Sequence, residues 1–155
     1  SYRPCGMIEK MEGIFMMIST KGRYALRFLV DVAEHQGDGY VPLKDVAVRQ
    51  EISEKYLEIV VKELVKGGLL TALRGKGGGY RLSRSPEEYN VKSILELMEG
   101  PLAPVACLES GRNACPRKNI CRTLPLWQGL DKVIADYLSQ FTLLSLYGKA
   151  FEISS

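Results

Sequence analysis

The chain has 155 residues, of which 46% are hydrophobic and 25% charged, as in an ordinary globular protein with one core. No apolar run reaches the roughly 18 residues of a membrane-spanning helix, and residues 1–16 lack a secretory signal pattern. We therefore expect a cytoplasmic protein that spans no membrane. The net charge is +3, and its excess lies within residues 19–92, which favours an anionic partner for that part.

Three helices are predicted in the first part of the chain. In "STKGRYALRFLVDVAEHQGDG" apolar residues recur at helical spacing, Ser19 or Thr20 can cap the start, and Gly37 marks the end. A short helix is predicted over residues 43–50. A third runs from the cap residue Ser53 to about residue 66, where two glycines stop it.

Two short strands and two further helices complete the prediction. The strands cover residues 69–73 and 80–83, and the loop "RGKGGG" between them makes a hairpin. A short helix follows over about residues 90–99, and a long one over about 123–146. The predicted fold is therefore mostly α with a small β-hairpin.

The segment "LKDVAVRQEISEKYLEIVVK" has the pattern of a DNA-binding helix-turn-helix. Ala47 is small where the two helices cross, whereas Glu51 stands at the turn, where glycine is common. A plain helical hairpin is the alternative. Because a basic, glycine-tipped hairpin follows, we favour a winged helix whose second helix enters the major groove. The glycine-rich loop lacks the ending of a phosphate-binding loop and does not open a helix.

Polar side chains on the second helix of this pair are candidates for reading bases. Glu58 can accept a hydrogen bond from a cytosine amino group, or it can be a solvated charge paired with Lys62. Arg74 and Lys76 on the wing suit the DNA backbone or the minor groove. The outward candidates on this helix are Ser53, Lys55, Tyr56, Glu58, Ile59 and Lys62.

The last long helix carries an apolar stripe. Its members are Leu126, Leu130, Val133, Ile134, Tyr137, Leu138 and Phe141. The winged helix before it already has a core, so we favour a seam between two copies of the chain over packing within one. A symmetric dimer places two recognition helices about one DNA turn, or a multiple of it, apart.

Three of the four cysteines lie in "CLESGRNACPRKNIC", residues 107–121, here called the cysteine segment. A disulfide is disfavoured in the cytosol, and buried inert cysteines would occupy apolar sequence. Zinc prefers four ligands in closer pairs. Iron–sulfur clusters are bound by thiolates, and nearby basic residues lower thiol pKa values. The residues alone leave these possibilities open.

The motifs "MISTKGRYALRFLVDVA", "SEKYLE", "LLTALRGKGGGYRLSR" and "ILELMEGPLAPV" closely resemble the IscR-like family of winged-helix transcription regulators, whose members include CymR and NsrR. The resemblance spans about residues 17–146. It implies a homodimer that binds a roughly palindromic double-stranded DNA operator. Ser53, Tyr56, Glu58 and Arg74 match family contact positions. The expected DNA-contact set is Ser19, Lys21, Tyr24, Ser53, Lys55, Tyr56, Glu58, Ile59, Arg74, Lys76, Gly78 and Tyr80.

The resemblance also implies that Cys107, Cys115 and Cys121 hold an iron–sulfur cluster, with 2Fe–2S favoured over 4Fe–4S. It identifies no fourth ligand, because Leu124 stands where IscR has histidine and Arg23 where NsrR-type members have an acidic residue. The only histidine, His35, is expected on the surface. Glu109, a residue of the second chain or an exogenous ligand remains a candidate.

The predicted organisation has four parts. Residues 1–16 are an extension or tag remnant, 17–89 the DNA-binding domain, 90–122 a connecting helix with the cysteine segment, and 123–155 a dimerisation helix and tail. The function expected is a repressor, not an enzyme, controlled by the cluster and regulating cluster-biogenesis genes. A CymR-like regulator of sulfur metabolism or redox stress, acting through thiols or a partner enzyme without a cluster, is the alternative. A small iron–sulfur enzyme or electron carrier is disfavoured, because no acid–base pair or cofactor loop is evident.

Overall fold

The structure, a computed structural model, describes residues 18–105, 108 and 117–147. Its fold is mostly helical with one two-stranded antiparallel sheet, as the sequence predicts. The 3₁₀ turn Pro86–Glu88, which the sequence reading did not predict, precedes the fourth helix. The elements are α1 (Thr20–His35), α2 (Leu43–Gln50), α3 (Glu54–Lys66), β1 (Leu70–Leu73), β2 (Gly79–Leu82), α4 (Val91–Glu99), α5 (Leu124–Ser139) and α6 (Leu143–Tyr147).

The core forms where α1 packs on α3, α4 and α6. Phe28 and Leu29 of α1 and Leu57 and Leu64 of α3 are fully buried, as their helical spacing predicts. Leu143 of α6 belongs to the same cluster and is also fully buried. The end of the described chain therefore returns to the core of the winged helix.

The turn between α2 and α3 has the compact geometry expected of a helix-turn-helix. Ile52 N–H donates to the Ala47 carbonyl at 3.1 Å, and Ala47 is buried at the crossing. Glu51 adopts a left-handed conformation, with φ of 54°. Glycine is common at such turns because this conformation costs other residues about 1–2 kcal/mol, and here the closed turn holds glutamate in it.

The wing is the hairpin β1–β2, in which Leu70 pairs with Leu82 and Leu73 with Gly79. Strand β1 begins one residue later than predicted, and β2 begins and ends one residue earlier than predicted. Its root is fastened by the buried Tyr89, whose hydroxyl donates to the Leu69 carbonyl at 2.6 Å. The same oxygen accepts from the backbone N–H groups of Ser83 and Arg84, at 2.9 and 3.3 Å.

The prediction of one helix over residues 123–146 is wrong, because α5 ends at Ser139 and α6 begins at Leu143. The intervening backbone pairs instead with the residues around the start of α4. Val91 N–H donates to the Phe141 carbonyl at 2.9 Å, and Leu143 N–H to the Tyr89 carbonyl at 3.1 Å. These bonds and the burial of Leu143 compensate for the interrupted helix.

The predicted cap of α1 is also corrected. Ser19 occupies the cap position, but its side chain accepts no hydrogen bond from the first turn. The carboxylate of Glu99 takes this place, accepting from Gly22 N–H at 3.0 Å. The cap predicted for α3 is confirmed, since Ser53 accepts a hydrogen bond from the backbone N–H of Tyr56. Asn90 caps α4 in the same way and accepts from the backbone N–H of Ser93.

We predict that Tyr89→Phe destabilises the protein by about 1–3 kcal/mol, because it leaves buried backbone groups at the wing root without their partner. Urea unfolding measures the loss. Tyr40→Phe is the control, since the Tyr40 hydroxyl has no hydrogen-bond partner among the described residues. Equal stability of the two variants would contradict the role of Tyr89.

Candidate nucleic-acid interface and cysteine segment

The outer face of α3 presents the side chains that the sequence predicts to read DNA. Ser53, Lys55 and Glu58 are exposed, and Ile59 is 53% exposed although apolar. No salt bridge joins Glu58 to Lys62 in the part of the chain that the structure describes. The Glu58 carboxylate is therefore available to a partner.

Tyr56 is half-buried and connects α3 to α1. Its ring meets the ring of Tyr24 edge to face, with centroids 5.5 Å apart. The Arg27 guanidinium lies over the Tyr24 ring, 5.3 Å from the centroid, and Arg27 Nε donates to Gln50 Oε1 at 3.1 Å. Two predicted contact residues thus belong to one aromatic and cationic cluster that spans three helices.

Asp31 continues this network below the surface and is only 1% exposed. Arg49 Nη2 donates to its Oδ1 at 2.6 Å, and Gln50 Nε2 donates to its Oδ2 at 2.9 Å. Burial raises the pKa of the Asp31 carboxyl, but the hydrogen bonds and charge of Arg49 and the bond from Gln50 outweigh it and lower the pKa. A buried charge is stable only when paired in this way, so Asp31 holds the end of α2 against α1.

Sequence reasoning missed the roles of Asp31, Arg27 and Gln50. The available signal was an aspartate between Val30 and Val32, on the side of α1 that otherwise supplies the core. Such a carboxylate needs a cation from another element, but the sequence does not show which one.

The first turn of α1 carries two more predicted contacts, and each already has a protein partner. Lys21 Nζ forms an ion pair with the Glu63 carboxylate of α3. Ser19 Oγ donates to Glu99 Oε1 at 2.6 Å. The first turn is thereby joined to α3 on one side and to the end of α4 on the other.

The wing separates its predicted contacts into an exposed tip and a packed base. Arg74 and Lys76 are exposed. Tyr80 instead lies against Phe28, with ring centroids 6.0 Å apart. A Cβ at Gly78 would lie 2.3 Å from the Leu73 carbonyl oxygen, so this half-buried position needs glycine for the tight turn.

Of the three predicted cluster ligands, Cys107 and Cys115 lie outside the described residues. Cys121 is half-buried, with Sγ 3.3 Å from Thr123 Oγ1, shortly before α5 begins. Hydrogen bonds from the Thr123 side chain and backbone, with a smaller effect of the Arg117 charge, lower the pKa of its thiol. A thiol that ionises readily fits a metal-ligand role.

The described positions considered for a fourth cluster ligand hold side chains that lack a donor atom or that contact other groups of the protein. Leu124 begins α5 and offers no donor atom. His35 Nδ1 lies 2.8 Å from the Asp31 carbonyl oxygen, and Arg23 donates to Thr20 Oγ1 at 3.3 Å. The prediction for Glu109 falls outside the described residues. Among the described residues no group of three metal-binding side chains occurs.

The apolar stripe predicted on α5 divides into two faces. Ile134 and Leu138 are half-buried, with Ile134 on the wall of a cleft that α4 also lines. The other face is open to solvent, although its residues are large and apolar. It comprises Leu126, Leu130, Val133 and Tyr137, which are 63%, 39%, 64% and 52% exposed.

These features define a winged-helix protein of the transcription-regulator class. A family model named Rrf2 and described as an iron-dependent transcriptional regulator matches residues 18–149. The chain therefore belongs to the Rrf2 family. The HTH-type transcriptional regulator IscR of Pectobacterium carotovorum (strain PC1) is 39% identical over 128 residues, which cover 83% of this chain and 77% of that protein. IscR of Yersinia pestis is 37% identical over 131 residues, covering 84% and 79%.

Solved structures have the same fold. CymR, described as the global cysteine regulator of B. subtilis, is 34% identical with a TM-score of 0.70, covering 86% of this chain and 98% of its own. IscR of T. potens is also 34% identical with a TM-score of 0.70, covering 90% and 91%.

The family resemblance and the winged-helix prediction are thus confirmed. The prediction that the chain is not an enzyme is confirmed too, because its relatives are transcriptional regulators. No helix within the described ranges is long and apolar enough to cross a membrane.

We predict that Asp31→Asn lowers the free energy of unfolding by about 2 kcal/mol at pH 7, because it removes charge-assisted hydrogen bonds. Since the folded pKa of Asp31 lies below the ordinary 3.8, its contribution is present above about pH 4 and is lost as the pH falls further. Denaturant unfolding against pH should show the gap to the unsubstituted protein narrowing below pH 4. Asp38→Asn, in an exposed loop, is the control, and a gap that widened in acid would contradict this assignment.

Proposed function

We propose that this Rrf2-family regulator is a homodimeric repressor that binds a roughly palindromic operator under the control of an iron–sulfur cluster. The observation that carries the DNA-binding part is the exposed outer face of α3, placed beside a wing with Arg74 and Lys76 at its tip. A helix on such a scaffold fits the major groove, and basic wing residues fit the phosphate backbone.

The contacts proposed on DNA are of two kinds. Glu58 and Ile59 read base edges, since a carboxylate accepts from cytosine and an apolar side chain suits the thymine methyl group. Lys55, Arg74 and Lys76 contact phosphates and supply affinity that depends on salt. Tyr24, Tyr56 and Tyr80 act mainly through packing, because their rings contact other side chains.

The exposed face of α5 supports the dimer. Leu126, Leu130, Val133 and Tyr137 follow one another at spacings of four, three and four, the repeat of a helix that packs along a second helix. Large apolar side chains in a row are costly in water. A second copy of the chain related by twofold symmetry would cover them and set the distance between the recognition helices.

The cluster ligands proposed are Cys107, Cys115 and Cys121, with 2Fe–2S favoured. Support comes from the lowered pKa of the Cys121 thiol, from the family's description as iron-dependent and from the relatives named IscR. When bound, a cluster would supply an inorganic centre whose redox potential depends on its surroundings. Along the sequence the three cysteines come after α4 and before α5, so this segment is the covalent connection between the winged helix and α5. The similarity to the relatives named IscR also supports cluster-biogenesis genes as the regulated genes.

A second candidate is a CymR-like regulator of sulfur metabolism that uses its thiols without a cluster. The structural similarity to CymR, the global cysteine regulator of B. subtilis, favours it. The half-buried Cys121 thiol with its lowered pKa also suits reversible oxidation. The two candidates share the fold and the DNA interface and differ only in the chemistry of the cysteines.

The DNA interface is tested by comparing Glu58→Ala with Arg74→Ala on operators that carry single base changes. Glu58→Ala should relax the preference at one base pair, worth about 1–3 kcal/mol. Arg74→Ala should weaken binding to all sequences and reduce the slope of affinity against salt by about one. If both variants bound like the unsubstituted protein in fluorescence-anisotropy titrations, this interface would be wrong.

The cluster is tested by anaerobic reconstitution with visible absorbance, iron and sulfide counts, and sedimentation. We expect a brown dimer, and a colourless dimer when Cys107, Cys115 and Cys121 are all replaced by alanine. Cys5→Ala is the matched control and should stay brown. A colourless unsubstituted protein with stoichiometric zinc would exclude the cluster, and one without metal would favour the thiol-based alternative.

A further inference from the structure

The first turn of α1 is capped from a distant part of the chain. Glu99 Oε1 accepts from Ser19 N–H at 2.9 Å, from Ser19 Oγ at 2.6 Å and from Gly22 N–H at 3.0 Å. The first N–H groups of a helix have no partner within the helix, and a carboxylate there also meets the favourable end of the helix dipole. One carboxylate oxygen therefore fixes where α1 begins.

Gly22 makes this contact possible. It is buried, and a Cβ at this position would lie 2.3 Å from Glu99 Oε1, with the nearest other atoms also in the Glu99 side chain. Glycine is unfavourable inside a helix by about 1 kcal/mol relative to alanine. Its presence one turn into α1 is explained by the space that the carboxylate occupies.

The capped turn of α1 lies next to α3, the proposed recognition helix. Lys21 pairs with Glu63 of α3, and Tyr24 contacts Tyr56 of α3. A displacement of the turn would therefore be transmitted to the recognition helix through an ion pair and a ring contact.

Glu99 is also the last residue of α4, before the chain runs towards the cysteine segment. Gly100 follows with φ of 80°, a conformation that L side chains rarely adopt, so the exit from α4 is sharply defined. Leu102 and Ala103 then line a cleft whose other wall includes Ile134 and Ala135 of α5. A movement of residues 100–103 would therefore displace the backbone of Glu99, whose carboxylate caps α1.

We propose that Glu99 is a positioning residue for operator binding, which holds the first turn of α1 against the end of α4 and so links the approach to Cys107 with the recognition helix. The inference rests on the proposed function, because it takes the operator as the ligand. It adds a residue that touches neither DNA nor cluster and acts through α1.

The test uses the full chain with Cys107, Cys115 and Cys121 replaced by alanine, so that no cluster contributes. In this background Glu99→Ala should weaken operator binding by up to about fivefold to tenfold, the fold-change that equals the typical stability contribution of a helix cap if operator binding needs the capped turn. Amide exchange at Gly22 should rise, while the dimer persists. Glu99→Gln, which keeps an acceptor oxygen, should recover part of the affinity. Glu96→Ala, one turn earlier on α4, is the matched control and should change neither quantity, because among the described residues the Glu96 carboxylate pairs with Lys92 alone.

Gly22→Ala provides a second variant that reports on the same contact. Alone it should lower operator affinity and Tm, since its methyl group displaces the carboxylate. Combined with Glu99→Ala it should raise Tm relative to Glu99→Ala alone, because alanine then favours the helix. Such opposite effects in one double-mutant cycle show that the two residues interact, because the effects of distant, independent sites add.

The outcomes separate the two proposals. Glu99→Ala that binds the operator as tightly as Glu96→Ala, or Gly22→Ala with the same effect in both backgrounds, overturns the positioning role. Absence of sequence-specific binding by the unsubstituted protein overturns the proposed function, and the positioning role with it. With the three cysteines intact, the operator affinities of cluster-loaded and cluster-free protein give a ratio that reports the coupling. In Glu99→Ala this ratio should fall towards one. A ratio equal to that of the unsubstituted protein would overturn the link to the cysteine segment.

Discussion

Asp31 is a buried carboxylate on α1, and the arrangement of α1, α2 and α3 depends on it. Its carboxylate accepts hydrogen bonds from Arg49 and Gln50 at the end of α2. The Gln50 side chain in turn accepts a hydrogen bond from Arg27, whose guanidinium lies over the Tyr24 ring. A buried carboxylate without these donors would cost several kcal/mol. The native arrangement of α1 and α2 therefore satisfies the charge, and α3 is positioned against them by the tight turn at Glu51.

Helix α1 is the element against which α2, α3, α4, α6 and the wing all pack. Its middle carries the core and the Asp31 network, and its first turn is held by Glu99. The wing packs on α1 through the ring contact of Tyr80 with Phe28, and α6 packs on the same core through Leu143. A rigid element with partners at each end can carry a displacement further than a loop can, because packed side chains resist small movements.

Local features of the sequence predicted much of this fold. The spacing of apolar residues located α1 and α3, the short segment after Pro42 located α2, and the glycine-rich loop located the wing, because helix periodicity and turn chemistry are properties of neighbouring residues. The break between α5 and α6 was missed, since it depends on pairing with backbone near Val91, far away in the chain. The Glu99 cap was missed for the same reason, because Ser19 looked sufficient by itself. The exposed candidates Glu58 and Arg74 were predictable, whereas the packed role of Tyr80 required the three-dimensional contact with Phe28.

The central claim is that the state of the cysteine segment controls how tightly the winged helix holds DNA. The most direct measurement is the operator affinity of one anaerobic preparation, at one salt concentration, before and after cluster assembly. We predict a change of about fivefold or more, the usual size of coupling between two sites, and no change on the same treatment when the three cysteines are replaced by alanine. Equal affinity with and without the cluster would contradict it.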